Sequence, residues 1–308
     1  MRHFLIDTDT ASDDAVALVM ALQQPDIQVE AITIVAGNTP IKQAVQNALY
    51  TVKLCGKETP VYEGIGKPIF RDLSTAQFVH GKDGMGDVGL DLQGRTPKPE
   101  HAVDVIIDTI NRFPNEIELI TIGPLTNVAT AIIKNPDIVS KVKSCVVMGG
   151  VGRGEGNITP VSEYNIWADP EAAHIVFHSG LPIKMVGWDV TLQAAFFDLN
   201  DAAEIQAIRT PLADFVIDIQ KTVIEFTEQN LGYSGFHLPD PIAVAIAIDE
   251  TIATESKKVF VDIARNDDAT RGRTIVDINK VYSQTPNVEV VFEANRERFI
   301  ALLKSCLV

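Results

Sequence analysis

The sequence predicts one α/β domain whose central sheet is mainly parallel. The chain has 308 residues, of which 46% are hydrophobic, and this is enough for a single large core. Short apolar runs alternate along it with segments of helical period. The runs are nearly continuous rather than alternately polar, as in parallel strands buried on both faces. We therefore expect a Rossmann-like sheet flanked by helices, in one domain over residues 1–308.

The elements follow one another in an alternating order. The predicted strands of the first two thirds are residues 3–8, 27–36, 117–122, 142–148 and 183–187, and the predicted helices are 13–24, 41–55, 126–134 and 170–179. After about residue 199 the pattern predicts an added helical region, with two long helices up to residue 230. Strand-like segments at 258–263, 274–278 and 288–292 and a final helix complete the prediction.

Charge and cysteine usage exclude several classes of partner and compartment. The 26 basic and 41 acidic residues give a net charge of −15, which disfavours nucleic acids and anionic membranes as partners. The apolar run at the N-terminus is short and meets aspartates at once, so we expect no signal peptide. Cys55, Cys145 and Cys306 are widely spaced and odd in number, which indicates reduced cysteines in a cytoplasmic protein.

Polar segments follow the predicted strands at the points where each strand ends. The first strand is followed by DTDTASDD, the second by Gly37-Asn38, the third by GPLTN and the fourth by MGGVGRGEGNITPVSEYN. In open α/β sheets ligands bind beyond the carboxyl ends of the strands. The sequence therefore predicts a binding site at this edge of the sheet.

Four aspartates lie within eight positions of the first strand-to-helix turn. Helix capping, with Ser12 as N-cap, accounts for Asp13 and Asp14 but not for Asp7 and Asp9. Crowded carboxylates repel one another unless a cation lies among them. Calcium accepts an irregular set of oxygen ligands, whereas zinc is disfavoured because no histidine or cysteine is near in sequence.

A magnesium-dependent phosphatase is an alternative interpretation of the same turn. Asp7-Thr8-Asp9 after an apolar strand is similar to the nucleophile motif of haloacid-dehalogenase-type phosphatases. Those enzymes have Thr or Val two positions after the second aspartate, where this chain has Ala11. They also lack the following Asp-Asp pair, so this alternative is disfavoured.

A set of motifs in consistent order resembles the inosine–uridine-type nucleoside hydrolases. The motifs are DTDTASDDAVAL at 7–18, Asn38, HGKDG at 80–84, GPLTN at 123–127, VMGG at 147–150, EYNIWADPEAA at 163–173 and Asp240. They extend over about residues 1–250, and the last 60 residues add little. The resemblance implies hydrolysis of a ribonucleoside to ribose and free base, using a calcium-bound water. It also implies a role in purine and pyrimidine salvage and a homodimeric or homotetrameric assembly.

The resemblance assigns a role to each matching residue. The calcium ligands would be Asp9, Asp14, Asp240 and the backbone carbonyl of Ile122. Asp9 would also be the general base. The substrate-binding residues would be Asp13, Asn165 and Asp240 at the ribose 2′- and 3′-hydroxyls, Asn157 and Glu163 at the 5′-hydroxyl, and Asn38 and Met148 beside and beneath the reacting ring.

One position departs from the family pattern. The best-known members of the family have a histidine directly before the late aspartate, which helps to protonate the departing base, and this chain has Pro239 there. His237 and His80 are the candidate substitutes, with Tyr233 also near. Alternatively the base is stacked between aromatic rings, for which Phe78, Tyr164, Tyr233 and Phe236 are available.

Ordinary structural roles remain open for several of these residues. Asn38 follows a glycine in a common turn pair, and Asp240 can open a helix behind Pro239. Asp169-Pro170 is typical of an N-cap with proline at the first helical position. A second functional class is therefore a non-catalytic nucleoside or ribose binder that retains the acidic site.

Overall fold

A nine-stranded sheet forms the centre of the computed structural model, which describes residues 1–308. The strands are, in chain order, β1 (Arg2–Thr8), β2 (Ile27–Ile34), β3 (Val61–Glu63), β4 (Ile117–Thr121), β5 (Ser144–Met148), β6 (Ile183–Val186), β7 (Phe196–Asp198), β8 (Gly235–His237), β9 (Ala253–Ile263), β10 (Thr274–Asp277) and β11 (Val288–Ala294). Strands β7 and β8 form a separate two-stranded sheet.

The order of the strands in the large sheet is β3-β2-β1-β4-β5-β6-β11-β9-β10. Strand β9 runs antiparallel to β10 and β11, and all other neighbouring strands are parallel. The first part of this order is that of a doubly wound Rossmann sheet: β2 and β3 are added on one side of β1, and β4, β5 and β6 on the other. The prediction of a mainly parallel, Rossmann-like α/β domain is confirmed.

Thirteen α-helices surround the sheet. They are α1 (Ser12–Gln23), α2 (Ile41–Leu54), α3 (Gln77–His80), α4 (Ala102–Arg112), α5 (Thr126–Lys134), α6 (Tyr164–Ala168), α7 (Pro170–Phe177), α8 (Trp188–Ala194), α9 (Leu199–Gln206), α10 (Pro211–Asp218), α11 (Lys221–Asn230), α12 (Pro239–Ile248) and α13 (Arg296–Ser305). Two 3-10 helices span Pro136–Lys141 and Glu250–Ile252. None of the helices combines the length and the apolarity that a bilayer crossing requires.

The added helical region differs from the prediction of two long helices. It contains three short ones, α9 to α11, and the strand β7 precedes it. Helix α9 ends at Gln206, Arg209 in the connection has a positive φ of 59°, and Pro211 then begins α10 with Thr210 as its N-cap. Proline cannot continue a preceding helix, because its ring displaces a backbone hydrogen bond. The two long helices predicted here were therefore wrong.

The core lies on both faces of the sheet. Along β1, Ile6 packs into the cluster that contains α1 and α12, whereas its neighbour Leu5 packs into the cluster that contains α4, α5 and α7. Ile120 and Leu119 of β4 divide in the same way. Successive side chains of a strand point to opposite faces, so both must be apolar when helices cover both. This burial explains the continuous apolar runs of the sequence.

The first helix begins one residue earlier than the capping interpretation requires. Its N-cap is Ala11, and Ser12 is already the first helical residue. The carboxylate of Asp14 accepts a hydrogen bond from the Ala11 backbone N–H at 2.9 Å. The Ser12 hydroxyl instead contacts Nδ1 of His80 at 2.9 Å. Ser12 as N-cap was therefore wrong, whereas Asp169 does cap α7 with Pro170 at its first position.

An ion pair at the opposite edge of the sheet anchors the C-terminal end of α12. The guanidinium of Arg2 donates to the Glu118 carboxylate on β4 and to the carbonyls of Ala247 and Ile248, at 2.5 and 2.7 Å. The Glu118 side chain is only 8% exposed, and Lys143 also contacts it at 3.0 Å. Arg2 therefore fastens the last turn of α12 to the sheet.

We predict that Arg2→Met lowers the free energy of unfolding by about 1–3 kcal/mol. This is less than the cost of breaking a fully buried ion pair, because Arg2 is partly exposed. The hydrogen bond and charge of Arg2 help to hold the pKa of Glu118 below its usual value of 4.5. The contribution is thus fully present above about pH 4.5 and is lost as the pH falls through the lower folded-state pKa.

Urea unfolding of the wild type, Arg2→Met, Glu118→Gln and the double variant at neutral and acid pH measures this coupling. Lys42→Met is the control, since its pair with Glu63 leaves Lys42 80% exposed and should change stability little. A coupling between Arg2 and Glu118 that persists undiminished in acid would contradict the assignment.

Candidate active site

The predicted polar segments meet at one place, beyond the carboxyl ends of β1 and β4. Asp9 directly follows β1, and Ile122 directly follows β4. These strands are adjacent and parallel, so their carboxyl ends lie at the same edge. Successive strands are added in opposite directions on the two sides of this pair, so the following connections diverge and leave a crevice at this edge. Helix α12 packs against α1 and places Asp240, near its N-terminus, at the same crevice.

Three buried carboxylates lie together in the crevice. Oxygen atoms of Asp13, Asp14 and Asp240 lie within 4.8 Å of one another. Asp14 is held by the Thr8 hydroxyl at 2.5 Å and by the Ala11 backbone N–H. Burial, followed by the charge of Asp13, raises the pKa of Asp14 to about 7, and the same two causes raise that of Asp240 well above its usual value. The carboxylates therefore require compensating positive charge to remain ionised at neutral pH.

Asp9 lies beside this group, in a space left by two glycines. Its Oδ2 accepts a hydrogen bond from the backbone N–H of Asn38, and its Oδ1 is buried without a partner. A Cβ at Gly37 would stand 2.1 Å from Oδ2, and one at Gly123 would stand 2.9 Å from Oδ1. Only glycine at these positions leaves room for the carboxylate. Burial, and then the charge of Asp14, raises the pKa of Asp9.

The residues of the crevice fit a hard cation. Buried oxygens without hydrogen-bond partners are Asp9 Oδ1, Asp13 Oδ1 and Asn165 Oδ1. Asn165 Nδ2 donates to the carbonyl oxygens of Ile122 and Met148 at 3.4 and 3.2 Å, and these two contacts fix the orientation of the side-chain amide. An oxygen-only donor set of this kind is what Ca²⁺ prefers.

The fold changes two details of the acidic cluster. Asp7 does not join the other carboxylates, because Thr33 Oγ1 and Asn127 Nδ2 hold its Oδ1 at 2.6 and 2.9 Å. Asp13 lies in one group with Asp14 and Asp240, and the predicted ligand Asp9 is adjacent to them. His80, distant in sequence, comes within 3.8 Å of Asp13 Oδ1 through its Nδ1.

A pocket of 190 Å³ opens above the acidic group. The predicted site residues that line it are Asp13, Asn38, His80, Met148, Asn157, Glu163, Tyr164, Asn165, His237 and Asp240. Asp9, Asp14 and Ile122 are not part of the pocket wall. Asp9 and Asp14 are fully buried, and Ile122 is 1% exposed. The fold therefore brings the polar residues from five separate segments of the chain to one cavity.

The loop before α6 holds several of these groups by hydrogen bonds of its own. The Glu163 carboxylate caps α6 and accepts from the backbone N–H groups of Gly150 and Asn165, both at 2.8 Å. Burial raises its pKa to about 7. Asn157 Oδ1 accepts from the Tyr164 backbone N–H at 2.9 Å, and the Tyr164 hydroxyl donates to the Ser74 carbonyl at 2.7 Å. This wall is therefore ordered before a ligand binds.

His237 lies in an aromatic part of the pocket, on strand β8 rather than in an exposed loop. Its ring centroid is 5.3 Å from that of Trp188 and 5.1 Å from that of Phe196. Burial lowers its pKa to about 4, so the imidazole is neutral at pH 7. Phe236 is not available for stacking on a ligand, because it is fully buried against Phe197.

Helix α11 supplies pocket residues that sequence reasoning missed. Val223, Phe226 and Thr227 of this helix line the cavity, and so does Leu231 after it. Phe226 meets Phe78 of α3 edge-on, with centroids 5.8 Å apart. Positions 223, 226 and 227, two of them apolar, share one helical face, which predicts burial but not burial against a ligand pocket.

Comparison with known proteins agrees with this geometry. The family model of the inosine-uridine preferring nucleoside hydrolases matches residues 4–301. The pyrimidine-specific ribonucleoside hydrolase RihA of Shewanella baltica is 36% identical, covering 99% of this chain and 96% of that protein. The RihA of an Escherichia coli strain is 34% identical over 97% of this chain and 96% of that protein.

Solved structures give the same result. A plant nucleoside hydrolase, the PpNRh1 enzyme, superposes with a TM-score of 0.93 at 31% identity, covering 99% of this chain and 98% of that one. The purine-preferring ribonucleoside hydrolase of Gardnerella vaginalis gives 0.91 at 32% identity, with the same coverage. The resemblance inferred from the motifs is thus confirmed, and the chain belongs to the inosine-uridine preferring nucleoside hydrolase family.

Proposed function

We propose that this chain is a ribonucleoside N-ribohydrolase, which cleaves the bond between ribose and base with water. The observation that supports this most directly is the buried group of carboxylates, with unpartnered oxygens, at the base of a pocket. One part of that pocket is polar and the rest is apolar and aromatic. A ribonucleoside has the same division, into a hydroxyl-rich sugar and a flat base.

Asp9, Asp14, Asp240 and the carbonyl of Ile122 would hold the calcium ion, with Asp13 adjacent. Bound Ca²⁺ would supply charge that acidifies a water molecule and orients the ribose hydroxyls. Asp9 then acts as general base, since its Oδ1 has no other partner and can accept the proton of the attacking water. Bound Ca²⁺ would favour the ionised form of Asp9, which is the form that can accept a proton.

The sugar would lie on the polar side of the pocket. Asp13 Oδ1 and Asn165 Oδ1 are free to accept hydrogen bonds from the 2′- and 3′-hydroxyls, together with Asp240. Asn157 and Glu163 would bind the 5′-hydroxyl, and Asn38 and Met148 would contact the ring. Cleavage of a glycosidic bond develops positive charge on the sugar. Nearby carboxylates stabilise that charge more than they stabilise the neutral substrate, which lowers the barrier.

The base would lie among the aromatic residues around His237. Pro239 cannot donate a proton, and His237 is neutral at pH 7, so it would assist by a hydrogen bond from its N–H rather than as an imidazolium. His80 is the second candidate, but the Ser12 hydroxyl already contacts its Nδ1. The similar relatives include both pyrimidine-specific and purine-preferring enzymes, so we propose ribonucleosides as a class.

The setting of the reaction is part of the same proposal. We place the enzyme in cytoplasmic purine and pyrimidine salvage, as a homodimer or homotetramer. Its charge of −15 and its three buried free cysteines support an intracellular site without nucleic-acid partners. A non-catalytic binder would keep the same pocket, and the first experiment below separates it from an enzyme. Family membership leaves no support for a magnesium-dependent phosphatase.

We predict that the enzyme releases reducing sugar from a panel of purine and pyrimidine ribonucleosides, and that a chelator abolishes this release.

Asp14→Ala should lose bound calcium and nearly all turnover, because a charged ligand is removed. Asp14→Asn is the matched variant, since its amide oxygen still accepts the capping bond from Ala11. Metal analysis and circular dichroism accompany both variants. Full calcium occupancy in Asp14→Ala would contradict the ligand set, and a wild type that binds ribonucleosides without turnover would identify a binder.

We further predict that 2′-deoxyribonucleosides are poor substrates, with kcat/KM reduced by ~10³-fold or more, because buried polar groups of the site lose their partner. Steady-state assays on uridine and 2′-deoxyuridine, and on inosine and 2′-deoxyinosine, measure this ratio. Asp13→Ala should bring the two sugars closer together. Equal rates on both sugars with the wild type would exclude Asp13 and Asn165 from hydroxyl recognition.

The third prediction concerns the leaving base. The p-nitrophenolate group of a p-nitrophenyl riboside leaves without protonation, so we expect this substrate to be hydrolysed far better than natural nucleosides.

His237→Ala should slow the hydrolysis of natural nucleosides by ~100-fold and leave that of the artificial substrate unchanged. The size of that effect should be constant from pH 6 to 8, because the pKa of His237 is about 4. If neither substrate responds, His237 only shapes the pocket. A wild type that prefers natural nucleosides would refute the inference from Pro239.

A further inference from the structure

A second group of metal-binding side chains lies outside the pocket. It consists of His174 on α7, His178 at the C-terminal cap of that helix, and Asp262 on β9. Their ligand atoms lie within 4.8 Å of one another. None of the three lines the pocket described above. The helix and strand that carry them pack directly against each other.

The distances in this group match those of ligands around one small ion. Asp262 Oδ1 is 3.1 Å from His174 Nδ1 and 3.6 Å from His178 Nε2, and the two imidazole centroids are 4.1 Å apart. With bonds of about 2.0–2.1 Å, ligand atoms on a tetrahedral zinc ion are about 3.3 Å apart. The two distances to Asp262 Oδ1 lie on either side of this value, and all the ligand atoms of the group lie within 4.8 Å of one another.

The hydrogen bonds around the group orient its ligands. His178 Nδ1 lies 2.9 Å from the backbone carbonyl of His174, and a carbonyl can only accept, so Nδ1 carries the hydrogen. The Nε2 lone pair of a neutral His178 then faces the carboxylate of Asp262, which is unfavourable unless a cation or a proton lies between them. Zinc-binding histidines commonly donate their other N–H to a carbonyl in this way. Asp262 Oδ1 is itself held by the Ile263 backbone N–H at 2.8 Å.

The three side chains are exposed enough for a metal ion to reach them from solution. The side chains of His174, His178 and Asp262 are 27%, 32% and 36% exposed. A water molecule can therefore complete a tetrahedral set. Two imidazole nitrogens and one carboxylate suit zinc and related divalent transition metals, whereas calcium and magnesium prefer oxygen ligands only.

We propose that His174, His178 and Asp262 form a binding site for Zn²⁺ that is separate from the active site. The bound ion ties the end of α7 to β9. Since α7 follows directly after α6, which carries Tyr164 and Asn165, the tie stabilises the element behind one wall of the pocket. The ion has no part in the reaction, so its loss leaves nucleoside hydrolysis intact.

The test is a calorimetric titration of the untagged, calcium-saturated protein with Zn²⁺. We expect one ion per chain, a higher unfolding temperature with Zn²⁺, and a visible absorption spectrum of tetrahedral Co²⁺ when cobalt replaces zinc. His178→Gln and Asp262→Asn should each weaken Zn²⁺ binding by ~100-fold or more, since even the loss of an indirect partner weakens metal sites by ~10–100-fold. His101→Gln, which removes an exposed histidine of another helix, is the control and should bind as the wild type does.

Circular dichroism and ribonucleoside hydrolysis in calcium alone establish that each variant is folded. The proposal is overturned if the wild type binds no stoichiometric Zn²⁺, or if His178→Gln and Asp262→Asn bind it unchanged. It is also overturned if binding is lost in Asp14→Asn instead, because the ion would then occupy the acidic crevice. In each of these cases the group is only a contact between two histidines and Asp262, in which His174 is the closer hydrogen-bond partner.

Discussion

The structure depends on keeping several carboxylates close together in a buried position at the base of a pocket. Asp13, Asp14 and Asp240 lie within 4.8 Å of one another, and Asp9 is adjacent to them. Burial, and then the repulsion of neighbouring carboxylates, raises the pKa values of Asp9, Asp14 and Asp240 and so favours their protonation. A divalent cation reverses this balance, because it favours the ionised forms. The burial that raises these pKa values would therefore also favour the binding of a cation.

Local hydrogen bonds and distant packing together hold these carboxylates against their repulsion. The Asn38 backbone N–H and the space beside Gly37 hold Asp9, and Thr8 and Ala11 hold Asp14. Asp240 has a different support, since it stands on α12, whose far end Arg2 and Glu118 fasten to the sheet. A change at the amino edge of the sheet can therefore disturb the site at the carboxyl edge.

The two ends of the pocket differ in how firmly the chain prepares them. The polar end is ordered by hydrogen bonds, such as those of Glu163 to two backbone N–H groups and of Asn157 to Tyr164. The aromatic end depends on ring packing around His237 and on the contact between α3 and α11. Directional hydrogen bonds specify positions more narrowly than apolar contacts do. The polar end is thus fixed by the fold itself, whereas the shape of the aromatic end depends on side-chain packing.

The sequence by itself determined the sheet, its parallel character and the edge at which the polar residues meet, because burial on both faces leaves continuous apolar runs and ligands bind beyond strand ends. Its motifs also determined the family. Only the tertiary structure decided which acids join the group. Thr33 and Asn127, which are distant in sequence, donate hydrogen bonds to Asp7 and hold it apart from the group, while the fold places His80 next to Asp13. It alone decided the part played by α11 and the approach of His178 to Asp262, since both arise from contacts between segments distant along the chain and such contacts leave no local pattern.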